Sequence, residues 1–274
     1  DWGDNIFQIR GREELDRGVA YMTIEDCFSQ NINRIAALQG AIETGLVNRC
    51  VHDMAGRADF IEISERSQGV YANMIVANNI ISGTSGDGAP RSIRVNANAT
   101  GNTVAQTANW QIVNNTIYGY NGSGILCQGT VSASNTIDVT IANNILNGDG
   151  TGAAVGIEYS ANGNSTFALL NNGYFNNGGG DVVGGLINSG AVSADPQFFN
   201  VEVVIPSDTG GAPPLQGFEP SNPSYLNSGT EVAYDAIRAQ AGDLDVDKTD
   251  TRSCIDIGAQ QVSCRPSVLD WSDY

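Results

Sequence analysis

The chain has 274 residues, with 13 basic against 30 acidic side chains, a single His and a formal charge of −17. A nucleic-acid partner needs a basic face, and these residues cannot build one, so the composition argues against that class. No apolar run approaches the roughly 18 residues of a membrane span, so no membrane insertion is expected.

Residues 1–58 read as irregular N-terminal coils, with Arg12-Glu-Glu-Leu-Asp-Arg17 as a charged excursion. Asp1-Trp2-Gly3 reads as a processed start rather than a translation start. Two segments, Met22-Thr-Ile-Glu-Asp-Cys27 and Leu46-Val-Asn-Arg-Cys50, alternate like strands and end on Cys. Their meaning comes from the repeat that follows.

Residues 59–200 read as regular coils. Asn-Asn follows an apolar stretch four times, with the second Asn at 79, 115, 144 and 172. Counted back from it, the fifth residue is Met74, Trp110, Val139 and Phe167, and the third is Val76, Ile112, Ile141 and Leu169. Two residues after it come Ile81, Ile117, Leu146 and Tyr174. This is a period of two around a polar corner: strand, bend, strand. A second track, Ile61-Glu-Ile63, Ile93-Arg-Val95, Ile125-Leu-Cys127 and Ile157-Glu-Tyr159, recurs every 32 residues. Each unit is therefore a coil of roughly 30 residues holding at least two strands, stacked about 4.8 Å from the next. An Asn at the same corner of every rung can bond to the Asn above and below it as a ladder. In that register Cys27 and Cys50 take the ladder position on adjacent rungs, close enough for a disulfide and equally able to stack as free thiols. Cys127 takes an inward apolar position, and His52 sits where later coils place Ile81 and its equivalents. The loops 83–90, 96–108, 129–136 and 160–165 should project at corners, where partner contacts would sit.

Residues 201–274 read as a Pro-rich loop and a closing segment of the same domain; residues 206–224 carry five of the eight prolines. Cys254 and Cys264 bracket a short stretch, and a disulfide there would pin the tail. Asp243, Asp245, Asp247 and Asp250 alternate like a Ca²⁺ loop but lack the glycine and terminal glutamate of an EF-hand. A bound Ca²⁺ and a solvated acidic turn are the two readings, and no cofactor is required.

The fold expected is all-β: a right-handed parallel β-helix, a single-stranded solenoid of about seven coils with a loop-rich C-terminal closing segment. Ala194-Asp-Pro-Gln-Phe-Phe199, Asn222-Pro-Ser-Tyr-Leu-Asn-Ser-Gly229, the acidic turn with Arg252, and Asp256-Ile-Gly-Ala259 sharpen this. Together with the Asn-Asn coils, they make the chain resemble secreted right-handed parallel β-helix proteins of the pectate-lyase-like superfamily. The chain departs from that pattern at Val246 and at Gln260-Gln261. The resemblance implies a polysaccharide-facing strand surface. In such a family a Lys or Arg removes the proton beside a uronate carboxylate that a cation neutralises.

The outward column beside the triplets offers Arg94 as base or carboxylate clamp and Glu62 as acid or cation ligand, with Asn96, Gln128, Glu158 and Ser160 as glycan contacts. The plain alternative is an exposed Glu–Arg cross-strand pair worth about a few tenths of a kcal/mol. Glu62 and Glu158 fall three rungs apart, near 14 Å, too far for the roughly 6.5–9.5 Å of an inverting glycosidase. A non-catalytic structural, adhesive or glycan-binding module, secreted or on a cell or virion surface, is therefore expected first, and a polysaccharide lyase or hydrolase second. No amphipathic cap is evident before the first coil, which leaves two readings: homo-oligomeric, end-to-end assembly with neighbouring subunits, or a preceding domain.

Overall fold

The computed structural model describes residues 7–10, 19–25, 27–30, 36–39, 42–53, 61–64, 73–82, 91–96, 106–131, 135–163, 165–198, 220–225 and 228–229. The alternating segments pair as parallel strands into three sheets of seven strands each, a β-solenoid with no helix among the described residues. The first sheet runs through Ile61–Ser64, Arg91–Asn96, Ser123–Val131 and Val155–Gly163. The second runs through Asn73–Ala77, Gln106–Val113, Asn135–Ala142 and Ser165–Leu170, and the third through Ile80–Ser82, Thr116–Tyr120, Ile145–Gly148 and Gly173–Phe175. Each coil thus holds three strands, one per sheet.

The inward columns are the apolar ones. Met74, Trp110 and Val139 stack in register, as do Val76, Ile112, Ile141 and Leu169, and all of them join one continuous core. His52 stands in the column of Ile81, Ile117, Leu146 and Tyr174, fully buried, with Nδ1 2.6 Å from the Ser29 hydroxyl. Cys127 lies in the core, and burial pushes its thiol pKa far up, so it behaves as a small hydrophobe.

The Asn-Asn corner between the second and third sheets divides its labour. The first Asn of each pair, Asn78, Asn114, Asn143 and Asn171, takes a left-handed backbone with φ of 50–57°, as does Arg49 at φ 52°. Asn tolerates that region better than other residues with a Cβ, which explains the first Asn. The second Asn builds the ladder. Asn79 Nδ2 donates to Asn115 Oδ1, Asn115 to Asn144 and Asn144 to Asn172, each at 2.9 Å. Each Oδ1 also accepts a backbone N–H from the preceding rung at 3.0 Å, and the Asn172 amide continues to Asn188 Oδ1 at 2.7 Å. At the other end Asn79 Oδ1 accepts the Cys50 N–H at 3.0 Å, so Cys50 occupies the expected ladder position. Cys27 and Cys50 lie on successive rungs as free thiols rather than as a disulfide. Their sulfurs donate to backbone carbonyls, Cys27 to Glu25 at 3.3 Å and Cys50 to Asn48 at 3.4 Å.

Past the seventh rung the chain turns over the outer face of the third sheet. Tyr225 is buried against Ile145, and its hydroxyl donates to the Ala194 carbonyl at 2.6 Å. A Cβ on Gly173 would come within 2.1 Å of the Tyr225 ring, so only glycine lets this tyrosine seat. Ser221 Oγ to Gln197 O at 2.6 Å, Asn222 Nδ2 to Asp195 O at 2.7 Å and a Phe198–Pro220 bridge hold the segment 194–198 to the returning chain.

A candidate ligand groove on the third sheet

The strip expected on the first sheet has the expected register. Arg94 pairs with Glu62 on one side and Leu126 on the other, and Leu126 pairs with Glu158. Asn96, Gln128 and Ser160 fall in one neighbouring column. The chemistry along it is thin. Leu126, only 2 % exposed, separates Arg94 from Glu158 by two rungs, about 9.6 Å at the strand spacing. Glu158 accepts a hydrogen bond from Ser123 instead. The side chain of Glu62 lies outside the described residues. Gly124 and Gly156, one residue before the triplets Ile125–Cys127 and Ile157–Tyr159, offer no open outward surface, because a Cβ on them would meet the rings of Tyr120 and Tyr174 at 3.0 and 2.9 Å, respectively.

Among the described residues no three His, Cys, Asp or Glu side chains gather as a metal site. Asp243, Asp245, Asp247, Asp250 and the Cys254–Cys264 pair lie outside the described residues.

A larger concave surface lies on the third sheet. Alternation along the third sheet turns Ile117, Leu146 and Tyr174 inward and their successors Tyr118, Asn147 and Phe175 outward, in register on three consecutive rungs. A register shift between Tyr118 and Tyr120, at Gly119 with φ 71°, sends Tyr118 out while Tyr120 returns to the core. The segment 194–198 supplies the facing wall, and Phe198 meets Tyr118 edge-on with ring centroids 5.9 Å apart and planes at 75°. The groove between them has a volume of about 530 Å³, within the usual range for small-ligand sites.

Its polar side chains are two carboxylates, three amides and the Tyr118 hydroxyl. Asn147 is 5 % exposed, and its buried Oδ1 has no hydrogen-bond partner among the described residues. Asp149 uses Oδ1 to receive the Thr151 N–H at 2.9 Å and hydroxyl at 2.7 Å, and Asp195 uses Oδ1 to receive the Gln197 N–H at 2.8 Å. These local turns fix both carboxylates at the rim. Two residues of the lining, Asn176 at φ 54° and Gln197 at φ 53°, hold left-handed backbone, the kind of strain that gathers at ligand sites.

Behind the groove, inside the solenoid, Tyr120 donates to Asn177 Oδ1, and Asn177 Nδ2 donates to Asp181 at 3.2 Å. Burial, and then the Asp181 charge, pushes the hydroxyls of Tyr120 and Tyr174 well above their ordinary range. A second, smaller hollow of about 150 Å³ lies over the second sheet beside Asn109, Gln111 and Asp138.

Compared with protein-family models, with curated proteins and with solved structures, the chain matches none. Sequence reasoning missed the groove although a signal existed. Three residues after the second Asn come Ser82, Tyr118, Asn147 and Phe175, an outward column that carries large aromatic side chains.

Proposed function

We propose that this β-solenoid is a non-catalytic glycan-binding module and that the groove on its third sheet is where the glycan sits. The observation carrying this reading is the outward column Tyr118–Asn147–Phe175, which lines the groove with an amide side chain between two aromatic rings. Aromatic faces stack on the apolar faces of sugar rings, while fixed acceptors orient hydroxyls. A regular rung spacing of about 4.8 Å suits a ligand that is itself a repeating polymer. The closing-segment motifs support placing the chain near the pectate-lyase-like superfamily, and with it a right-handed coil and a secreted or surface location. Ile187, 88 % exposed beside the last rung, supports a contact with a like subunit at that end.

The test is retention on insoluble polysaccharides, with released sugar followed in parallel. Retention that Phe175→Ala abolishes, without new reducing ends or unsaturated products, is the expected result. Unsaturated products that depend on Ca²⁺ and vanish in Arg94→Ala would replace this reading with a lyase acting through Arg94 and Glu62. Retention equal in wild type and Phe175→Ala would move the site away from the groove.

A further inference from the structure

Resting on the glycan reading, the charge of the groove narrows the ligand: we propose that it selects saccharides carrying a free, protonated amino group over neutral sugars and uronates. The lining has three aromatic rings, Tyr118, Phe175 and Phe198, two carboxylates, Asp149 and Asp195, the amides Asn147, Asn176 and Gln197, and, among the described residues, no Lys, Arg or His. A uronate would bring its charge against two fixed carboxylates on a chain whose net charge is already −17. An ammonium answers the charges and the rings at once. It pairs with carboxylates through charge-assisted hydrogen bonds, and it is attracted to aromatic faces.

The two carboxylates are suited to this task by how they are held. Each spends Oδ1 on a turn of its own loop, Asp149 on Thr151 and Asp195 on Gln197, and no described residue donates to the second oxygen of either. The two sides of the groove contribute one carboxylate each. Asp149 follows the solenoid strand Ile145–Gly148, and Asp195 belongs to the segment clasped by Ser221 and Asn222. A neutral sugar would gain the stacking but leave both charges unanswered.

Calorimetric titration with four tetrasaccharides tests the assignment: fully deacetylated glucosamine, its N-acetylated counterpart, β-linked glucose and galacturonate, all near pH 6. The deacetylated probe should bind about tenfold or more tighter than the acetylated and neutral ones, with galacturonate weakest. Asp149→Asn with Asp195→Asn keeps both turn acceptors and so keeps the fold; it should bring the deacetylated and acetylated probes within about twofold of each other. Phe175→Ala should weaken every probe that binds. Equal affinity for acetylated and deacetylated probes in the wild type overturns the charge selectivity but leaves the glycan reading standing. A preference that survives the double substitution also overturns it, because general attraction to an acidic chain would then be the cause. Binding of none of the four probes sinks both readings.

Discussion

Asn144 and Asn147 lie three residues apart on the same coil, and the contrast between them separates scaffold from site. Asn144 belongs to a column that repeats almost without change from Asn79 to Asn172, and its amide gives and receives hydrogen bonds within 2.9–3.1 Å on both sides. Asn147 belongs to a column that changes at every rung, from Ser82 to Tyr118 to Asn147 to Phe175, and its oxygen receives no hydrogen bond from the described residues. A column that must bond to itself is held uniform by its own geometry. A column facing outward is free to vary, and here it varies toward rings and acceptors.

The largest expected effect follows from breaking the uniform column. Asn144→Ala strips the Asn115 N–H of its side-chain acceptor and the Asn115 amide of one of its three inside a buried network, so it should cost about 3 kcal/mol or more in urea unfolding. Asn147→Ala should change stability by less than about 0.5 kcal/mol, because it removes a group whose burial is already uncompensated, yet it should weaken glycan binding. Similar losses for the two would erase the distinction.

Gly173→Ala comes next. Its Cβ would collide with Tyr225, so the cost should be about 1–3 kcal/mol from overpacking. Because Tyr225 anchors the wall of the groove through Ala194, the same variant should lose ligand affinity out of proportion to a surface change. Wild-type affinity in Gly173→Ala would show that the wall does not depend on this tyrosine.

A smaller effect distinguishes the two asparagines of the corner. Asn114 holds φ 55°, so Asn114→Gly should be close to neutral while Asn114→Ala should cost about 1 kcal/mol, as measured by thermal melts. The same Gly substitution at Asn115 should not be tolerated, since the second Asn acts through its side chain.

The buried tyrosines give a pH dependence with a definite sign. Tyr120, Tyr174 and Tyr225 all have hydroxyl pKa values raised by burial above the ordinary 10.0. The unfolded chain therefore releases these protons first. Stability from these groups is complete below about pH 10 and falls as pH rises toward the raised folded values. A urea midpoint unchanged between pH 9 and pH 11.5 would mean that these hydroxyls reach water.

Much of the architecture was readable because it is repetitive. The alternation around Asn-Asn gave the second and third strands of each coil, and the 32-residue track gave the first. The pairing of Arg94 with Glu62 and of Gln128 with Asn96 and Ser160 followed from counting. The ladder position of Cys50 was legible for the same reason, but whether it bonds to Cys27 was not. Register sets the rung of each sulfur and leaves its rotamer open.

The sequence by itself determined the parallel β-solenoid, because hydrogen bonding between equivalent rungs makes one coil's pattern the template for the next. It also determined which column is ladder and which is core. Tertiary structure alone decided where a ligand could sit. The wall of the groove comes from residues 194–198, held by a clasp to residues 220–225. No repeat links that clasp to the third sheet. Tyr118, Asn147 and Phe175 acquire a facing surface only because Tyr225 fits over Gly173, a match of shapes that periodicity does not encode.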